Sequence, residues 1–140
     1  MTLLIGVTDD LESCLELRRA VFVREQNVPE DLEVDGRDAE AIHMLARRDG
    51  VAVGCARILV EGPVGKIGRV CVLAPHRGTG LGQALTLTCL EVLRSRKGVR
   101  EARLGAQLHA LEFYRRFGFE AEGPIYDDAG IPHREMSMAL

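Results

Sequence analysis

The sequence contains no apolar run long enough to cross a membrane. A transmembrane helix needs about 18 or more consecutive apolar residues, and no stretch of this chain reaches that length. The opening residues, MTLLIG, are too short for the apolar region of a signal peptide and lack a basic start. We therefore expect no membrane partner for this chain.

Clustered cysteines are missing too. The four cysteines of the chain lie far apart, each within an apolar pattern. This spacing argues against the disulfide framework of a small secreted domain and against a C-x-x-C metal site. We predict that Cys14, Cys55, Cys71 and Cys89 are reduced core residues of a cytoplasmic protein, and we expect no bound metal.

An excess of positive charge is also missing. The 18 lysines and arginines are outnumbered by 21 acidic residues, and the formal net charge is −3. This balance gives no electrostatic reason to expect a nucleic-acid partner, because such binding depends on cations that neutralise phosphates. The chain has no repeat, low-complexity stretch or linker. Its 140 residues, 46% of them apolar, suit a single domain over residues 1–140.

What the sequence does contain is an alternation of strand and helix patterns. Apolar periods of two predict strands and periods of 3.6 predict helices. Predicted strands cover residues 2–7, 41–47, 51–60, 64–72, 99–106, 119–122 and 133–140, and predicted helices cover 10–25, 81–96 and 107–117. Asp49-Gly50 predicts a type I′ hairpin turn, Gly65 and Gly68 indicate a bulge in the strand over residues 64–72, and residues 126–130 predict a further turn. This order predicts the α/β class, with a central, mostly antiparallel mixed sheet flanked by helices.

Three glycines stand at alternate positions between a predicted strand and a predicted helix. Residues 70–72 end the strand, Gly78, Gly80 and Gly82 follow, and the apolar helical pattern begins at Leu81. Successive backbone N–H groups at such a turn, together with the partial positive charge of a helix start, form an anion site. Glycine is needed there because a Cβ would block the tight backbone and the approach of a phosphate. An ordinary strand–helix turn is the alternative.

The spacing of this loop distinguishes among phosphate-binding motifs. A Walker loop requires Gly-Lys-Ser/Thr, but Gln83 and Ala84 follow Gly82, and the mid-chain position and spacing do not fit a dinucleotide fingerprint. The pattern R-x-x-G-x-G does fit, with Arg77, Gly80 and Gly82 preceded by V-x-V. It resembles the pyrophosphate loop of the GNAT superfamily of N-acetyltransferases, which binds acetyl-CoA.

A second motif supports the same resemblance. Residues 107–119, QLHALEFYRRFGF, are similar to the GNAT pattern N-x-x-A-x-x-F-Y-x-x-x-G-F, which lies against the pantetheine arm. Ala110 is small where the arm must pass, and Tyr114 lies one turn further on the same face. Gln107 departs from the usual asparagine. Segments 21–29, 33–35 and 130–136 further resemble small single-domain bacterial members.

The resemblance implies a fold, a co-substrate and a reaction. The fold is that of GNAT acyl-CoA N-acyltransferases, and the reaction is direct transfer of an acetyl group from acetyl-CoA to a primary amine. The residues implied in acetyl-CoA binding are Val70, Cys71, Val72, Arg77, Gly78, Thr79, Gly80, Leu81, Gly82, Gln83, Gln107, Ala110, Phe113 and Tyr114. Tyr114 is implied as the group that serves the leaving thiolate, and the backbone N–H near Val72 as the oxyanion donor.

The general base is left open among several residues. An alkyl ammonium with a pKa near ~10.4 must lose a proton before it attacks a thioester. Glu25, Glu33, Asp35 and His43 are the candidates. Glu25 and Glu33 are the most plausible, and the preferred interpretation of His43 is a strand histidine bonded to a neighbour. His133 is a candidate for the acceptor pocket.

The segment from residue 25 to residue 40 carries seven acidic residues against one basic residue, Arg37. In the GNAT arrangement this segment lies on the acceptor side of the thioester. Its charge predicts a small, cationic primary amine as acceptor, while a solvated acidic surface is the alternative. A CoA-binding regulatory module without catalysis and a nucleotide-phosphate binder are the rival functions. The sequence leaves monomer or homodimer open.

Overall fold

The computed structural model describes residues 2–140. Seven strands form one sheet: β1 Leu3–Thr8, β2 Ile42–Arg48, β3 Val51–Glu61, β4 Val64–Val72, β5 Glu101–Gln107, β6 Glu120–Asp128 and β7 Ile131–Ala139. Four α-helices accompany them: α1 Leu11–Arg18, which continues as a π-helix Arg19–Glu25, α2 Glu30–Glu33, α3 Leu81–Ser95 and α4 Leu111–Arg115. Short 3-10 turns cover Asp38–Glu40, Ala74–His76 and Leu108–Ala110. None of the described helices is long and apolar enough to span a membrane.

The sheet has the order β1-β2-β3-β4-β5-β7-β6. All neighbouring strands are antiparallel except β4 and β5, which are parallel. Asp49 and Gly50, with φ of 51° and 83°, form the β2–β3 turn, where a type I′ turn requires positive φ at both central residues. The predicted α/β class with a mostly antiparallel mixed sheet is confirmed.

The parallel pairing of β4 with β5 is short, and it leaves a gap between the two strands in which the cavity described below lies. Only residues 64–66 of β4 pair with residues 101–103 of β5, and the two strands separate beyond them. Gly65 lies at this closed end, where a Cβ would come 2.3 Å from Leu93 Cδ2 of α3. The absent side chain therefore lets α3 pack directly against β4.

Two hydrophobic clusters hold the helices on the sheet. Against one face, α3 contributes fully buried side chains, among them Leu81, Leu85 and Leu93, and each such leucine contributes about 1.5–3 kcal/mol by leaving water. Against the other face, Leu17 of α1 and Val21 of the π-helix that follows it pack beside β3 and β4. The four cysteines are free and buried, as predicted.

Two predicted elements have different bounds in the structure. The helix predicted over residues 107–117 begins later: Gln107 ends β5, a 3-10 turn follows, and α4 is only five residues long. The turn predicted over residues 126–130 is also shorter, because residues 126–128 pair with β7. Ala129 and Gly130 alone make the turn, with φ of 53° and 82°, and the Gly130 N–H donates to Asp127 Oδ2.

Candidate active site

The glycine loop opens outward at the start of α3. Gly80 is the N-cap residue of the helix, with φ 85° and no side-chain cap, and Gly78 has φ 76°. Both values lie in the left-handed region that glycine adopts without strain. A Cβ built on Gly78 or Gly80 would meet nothing within 4 Å. The first turn of this 15-residue helix therefore has no side-chain cap and begins in a loop with open space around Gly78 and Gly80, which are features that an anion site requires.

Arg77 of the loop ties β4 to the end of the first helical segment. Its Nε donates to the Val72 carbonyl oxygen at 2.9 Å, and its two terminal nitrogens donate to the two carboxylate oxygens of Glu25 at 2.6 and 3.0 Å. The hydrogen bond from Arg77 lowers the pKa of Glu25. Glu25 is therefore held as a carboxylate, and it does not line the cavity described next.

A cavity of about 350 Å³ occupies the gap where β4 and β5 separate. Residues 67–70 of β4 and 104–107 of β5 form two of its walls, the end of the first helical segment and α2 form a third, and β6 and β7 close the far side. Four predicted acetyl-CoA residues line it: Val70, Gln107, Ala110 and Tyr114. The Gln107 side chain donates to the Gln26 side chain at 3.1 Å and so links β5 to the first helical segment.

The other predicted acetyl-CoA residues are not part of the lining of this cavity. Gln83 and Phe113 line a second cavity of about 310 Å³ between α3 and α4. Cys71 points to the α1 face, where its Sγ lies 3.4 Å from Cys55 Sγ. The Leu73 N–H donates to the Val53 carbonyl of β3, and because successive peptide groups of a strand alternate in direction, the Val72 N–H points away from β3, to the side of the gap.

Tyr114 reaches the cavity from α4 within an aromatic cluster. Its ring makes edge-on contacts with Phe113 and Phe119, at centroid distances of 5.0 and 6.1 Å. Burial raises the pKa of Tyr114 to about 12. The phenol is therefore protonated at neutral pH, which is the state that can donate a proton.

The backbone of β4 is irregular beside the cavity. The pairing with β3 shifts register between the Cys55–Cys71 and Arg57–Gly68 pairs, and Arg69 within this bulge has φ 52°. The bulge turns Arg69 into the cavity lining. Arg69 was not predicted from the sequence, because the two glycines of β4 indicated a bulge without indicating which side chain it redirects.

The acidic segment is not a free negative surface. Six of its seven acids form ion pairs: Glu25 with Arg77, Glu30 with Arg19, Glu33 with Arg18 and Arg69, Asp35 with Arg57 and Arg69, Asp38 with Arg18 and Arg57, and Glu40 with Arg37. Asp31 has no such partner within residues 2–140. Most of the negative charge on which the predicted cationic acceptor depends is therefore already paired with arginines, among them those of α1, β3 and β4.

The buried part of this network places the two remaining base candidates of the segment. Glu33 is 3% exposed, bonds Arg18 Nε and lines the cavity. Asp35 accepts two hydrogen bonds of 2.8 Å from Arg57. The Arg57 hydrogen bonds hold the pKa of Asp35 well below its usual range. Of these two carboxylates, Glu33 is the one that lines the cavity.

The histidine candidates occupy different places. His43 is buried, its Nε2 lies 2.8 Å from the Asp38 carbonyl oxygen, and it is not part of the cavity lining. His133 does line the cavity, its Nδ1 lies 2.7 Å from the Ile131 carbonyl oxygen, and its ring stacks on Tyr126 at 5.8 Å. Tyr126 and Asp128 also line the cavity. The sequence analysis missed both, because it assigned them to a turn.

A glycine-rich anion cradle at a helix start, beside a gap between two parallel strands, defines the class of protein. Residues 9–140 match the family described as Acetyltransferase (GNAT) domain, and the chain belongs to that family of acyl-CoA-dependent transferases. The fold and the family predicted from the two motifs are thereby confirmed.

Individual relatives cover nearly the whole chain. ElaA of Escherichia coli (strain K12) is 39% identical over 132 residues, 91% of this chain and 86% of that protein. "Uncharacterized N-acetyltransferase YjcF" of Bacillus subtilis (strain 168) is 34% identical over 129 residues, 91% of both chains. The crystal structures of Escherichia coli ElaA and of an acyl-CoA N-acyltransferase from Pseudomonas aeruginosa each superpose with a TM-score of 0.87 over 97% of this chain and 99% of theirs, at 33% and 32% identity.

Proposed function

We propose that this protein transfers an acetyl group from acetyl-CoA directly to the primary amine of a small acceptor. One observation carries the proposal: Tyr114 lines the same gap toward which the Val72 N–H points, and the glycine loop opens beside it. A proton donor and a backbone oxyanion donor thus face one gap, and the proposed anion cradle follows β4 in the chain and approaches Phe113 of α4 at Gly82. These are the groups that aminolysis of a thioester needs.

The residues present fit acetyl-CoA, which supplies an activated acyl thioester when bound. The uncapped first turn of α3, with Gly78, Thr79, Gly80, Leu81, Gly82 and Gln83, would hold the pyrophosphate, because a Cβ at Gly78 or Gly80 would meet only open space and phosphate oxygens accept backbone hydrogen bonds there. Arg77 would add a guanidinium. The uncharged arm would lie against Val70, Cys71, Val72, Gln107, Ala110, Phe113 and Tyr114.

Three groups of the chain would carry the chemistry. The Val72 N–H would donate to the carbonyl oxygen on which negative charge develops. Tyr114 would donate its proton to the leaving sulfur, a role supported by the raised pKa that keeps its phenol protonated. Glu33 would accept the proton of the amine; it is preferred to Glu25 because it lines the cavity.

The cavity lining supports fewer positive charges on the acceptor than the sequence suggested. Its amine arrives as a cation, because an alkyl ammonium has a pKa near ~10.4. Within the cavity lining, the carboxylates of Glu33 and Asp128 support recognition of that one cation. The remaining acids of the segment do not line the cavity, and all of them except Asp31 are engaged with arginines. They lend no support to a second positive charge.

The test is a panel of primary amines incubated with acetyl-CoA, with free thiol and acetylated product measured together. We expect thiol release that depends on the amine and that matches product formation. Tight CoA binding without any amine-dependent release would instead support a regulatory CoA-binding module. Equal thermal stabilisation by ATP, NAD and CoA would support a general nucleotide-phosphate binder.

The cellular setting remains part of the proposal. The four buried, free cysteines support a cytoplasmic location, because oxidising compartments favour disulfides. The net charge of −3 supports a function without nucleic acid. Light scattering during gel filtration would decide between monomer and homodimer.

A further inference from the structure

Arg69 is the one arginine in the lining of the acceptor side of the cavity. It lies in the β4 bulge with φ 52°, a left-handed conformation that non-glycine residues adopt rarely and that occurs disproportionately at functional sites. Its side chain is 24% exposed. The bulge therefore directs a mostly buried cation toward the space where an acceptor would lie.

The hydrogen-bonding capacity of Arg69 is not met within residues 2–140. Nη2 donates to the Glu33 carbonyl oxygen at 2.9 Å, but Nε is buried and has no hydrogen-bond partner. The nearest carboxylate oxygens, on Glu33 and Asp35, lie 3.6 and 3.5 Å from its nitrogens. These distances exceed those of normal charge-assisted hydrogen bonds.

The two carboxylates near Arg69 are already bound by other arginines. Glu33 bonds Arg18, and Asp35 accepts two hydrogen bonds from Arg57. The same network raises the pKa of Arg18 and Arg57, whereas burial and the nearby charge of Arg57 lower the pKa of Arg69. Among these three arginines, Arg69 is therefore the one whose positive charge is disfavoured by its surroundings. An anion in the cavity would stabilise that charge.

We propose that the acceptor is an amino acid, or an amine with a carboxylate close to its amino group, and that Arg69 binds that carboxylate. The proposal rests on the proposed acetyl transfer and names its substrate class. A guanidinium forms paired hydrogen bonds to a carboxylate. Glu33 beside it offers the opposite charge for the ammonium, so the adjacent charges of the cavity match the adjacent charges of the acceptor. Leu32 and Ile131 of the lining provide apolar contact for its side chain.

The experiment compares acceptors that differ only in the carboxylate. L-Phenylalanine is paired with 2-phenylethylamine, and L-leucine with 3-methylbutylamine. For each acceptor, kcat/KM is measured for wild type, Arg69→Gln and Arg69→Lys. Arg96→Gln, at an exposed arginine that caps the C-terminus of α3, is the control. We expect wild type to prefer each amino acid. Arg69→Gln should lose about 10-fold or more on the amino acids and less than about twofold on the amines, Arg69→Lys should recover part of the loss, and Arg96→Gln should match wild type.

A binding measurement without turnover separates this proposal from the proposed function. Protein saturated with CoA is titrated with N-acetyl-L-phenylalanine and with N-acetyl-2-phenylethylamine. Tighter binding of the acid that disappears in Arg69→Gln upholds the carboxylate site even where no acetyl transfer is detected, in which case the proposed function alone fails. Two results would overturn the carboxylate site: equal losses on acids and amines in Arg69→Gln, or a wild-type preference for the amines. The wild-type preference can be measured even if Arg69→Gln does not fold.

Discussion

Arg77 and Glu25, 52 positions apart in the sequence, form a two-point ion pair in which the guanidinium nitrogens lie 2.6 and 3.0 Å from the carboxylate oxygens. The pair joins the proposed pyrophosphate loop to the end of the first helical segment. Arg77 also binds the Val72 carbonyl oxygen. The loop, the end of β4 and the end of the first helical segment are thus held together through one side chain.

Removing this ion pair tests the role of Glu25. In Glu25→Gln we expect kcat within about twofold of wild type, because Glu25 lies outside the cavity, and tighter CoA binding, because Arg77 is released toward the phosphates. The melting temperature should change little, since exposed ion pairs contribute little stability. Calorimetry and steady-state rates check both points. A kcat lower by about 100-fold would identify Glu25 as the base.

Gly80→Val tests the anion cradle. Valine at φ 85° costs about 1–3 kcal/mol of folding free energy, and its side chain would occupy the mouth of the loop, so CoA should bind at least about tenfold more weakly, or 1.4 kcal/mol. Gly62→Val is the matched control, since Gly62 also has positive φ and open surroundings but lies in the β3–β4 turn. The control should lose similar stability and keep its CoA affinity. Equal affinity loss in both variants would refute the cradle.

Tyr114→Phe tests proton donation to the leaving thiol. The ring keeps its contacts with Phe113 and Phe119, so CoA affinity should hold while kcat falls by about 100-fold. Because the pKa of Tyr114 is raised to about 12, the wild-type rate should show no loss from Tyr114 deprotonation between pH 7 and pH 10. A variant as fast as wild type would mean that Tyr114 only packs.

Gly105→Ala tests the wall that Tyr126 forms. A Cβ on Gly105 would lie 2.2 Å from the Tyr126 hydroxyl, and Tyr126 is exposed enough to move aside. We expect an increased KM for the acceptor, an unchanged CoA dissociation constant and a small change in melting temperature. An unchanged acceptor KM would show that Tyr126 does not contact the acceptor.

Asp35→Asn tests the ion-pair network through its pH dependence. Since the Arg57 hydrogen bonds depress the pKa of Asp35 in the folded state, its stabilising effect is present above the unfolded pKa of about 3.9 and is lost as the pH falls through the folded value. The difference in melting temperature between wild type and variant should therefore be largest above pH 5 and shrink below pH 4. Asp31→Asn, at an unpaired exposed acid, should show no such difference. A difference in melting temperature that does not vary with pH would contradict this role of Asp35.

Local patterns determined the family and most of the elements. The glycine spacing from Gly78 to Gly82, the α3 stripe that begins at Leu81 and the Asp49-Gly50 turn each depend on residues within a few positions of one another. Their physical causes, backbone conformation and helical or strand periodicity, act over that same short range. The sequence alone was therefore sufficient to predict the sheet-and-helix order and the acetyltransferase family.

The tertiary structure alone decided which side chains and charges line the cavity proposed for the acceptor. The sequence shows that residues 25–40 include seven acids. It does not show that Arg18, Arg57 and Arg69, from three other elements, pair with some of them. Nor does it show that β4 and β5 stop pairing after residue 66, or that a bulge turns Arg69 into the resulting cavity. Ion pairing and strand register depend on which distant segments come into contact, and a local sequence pattern does not specify those contacts.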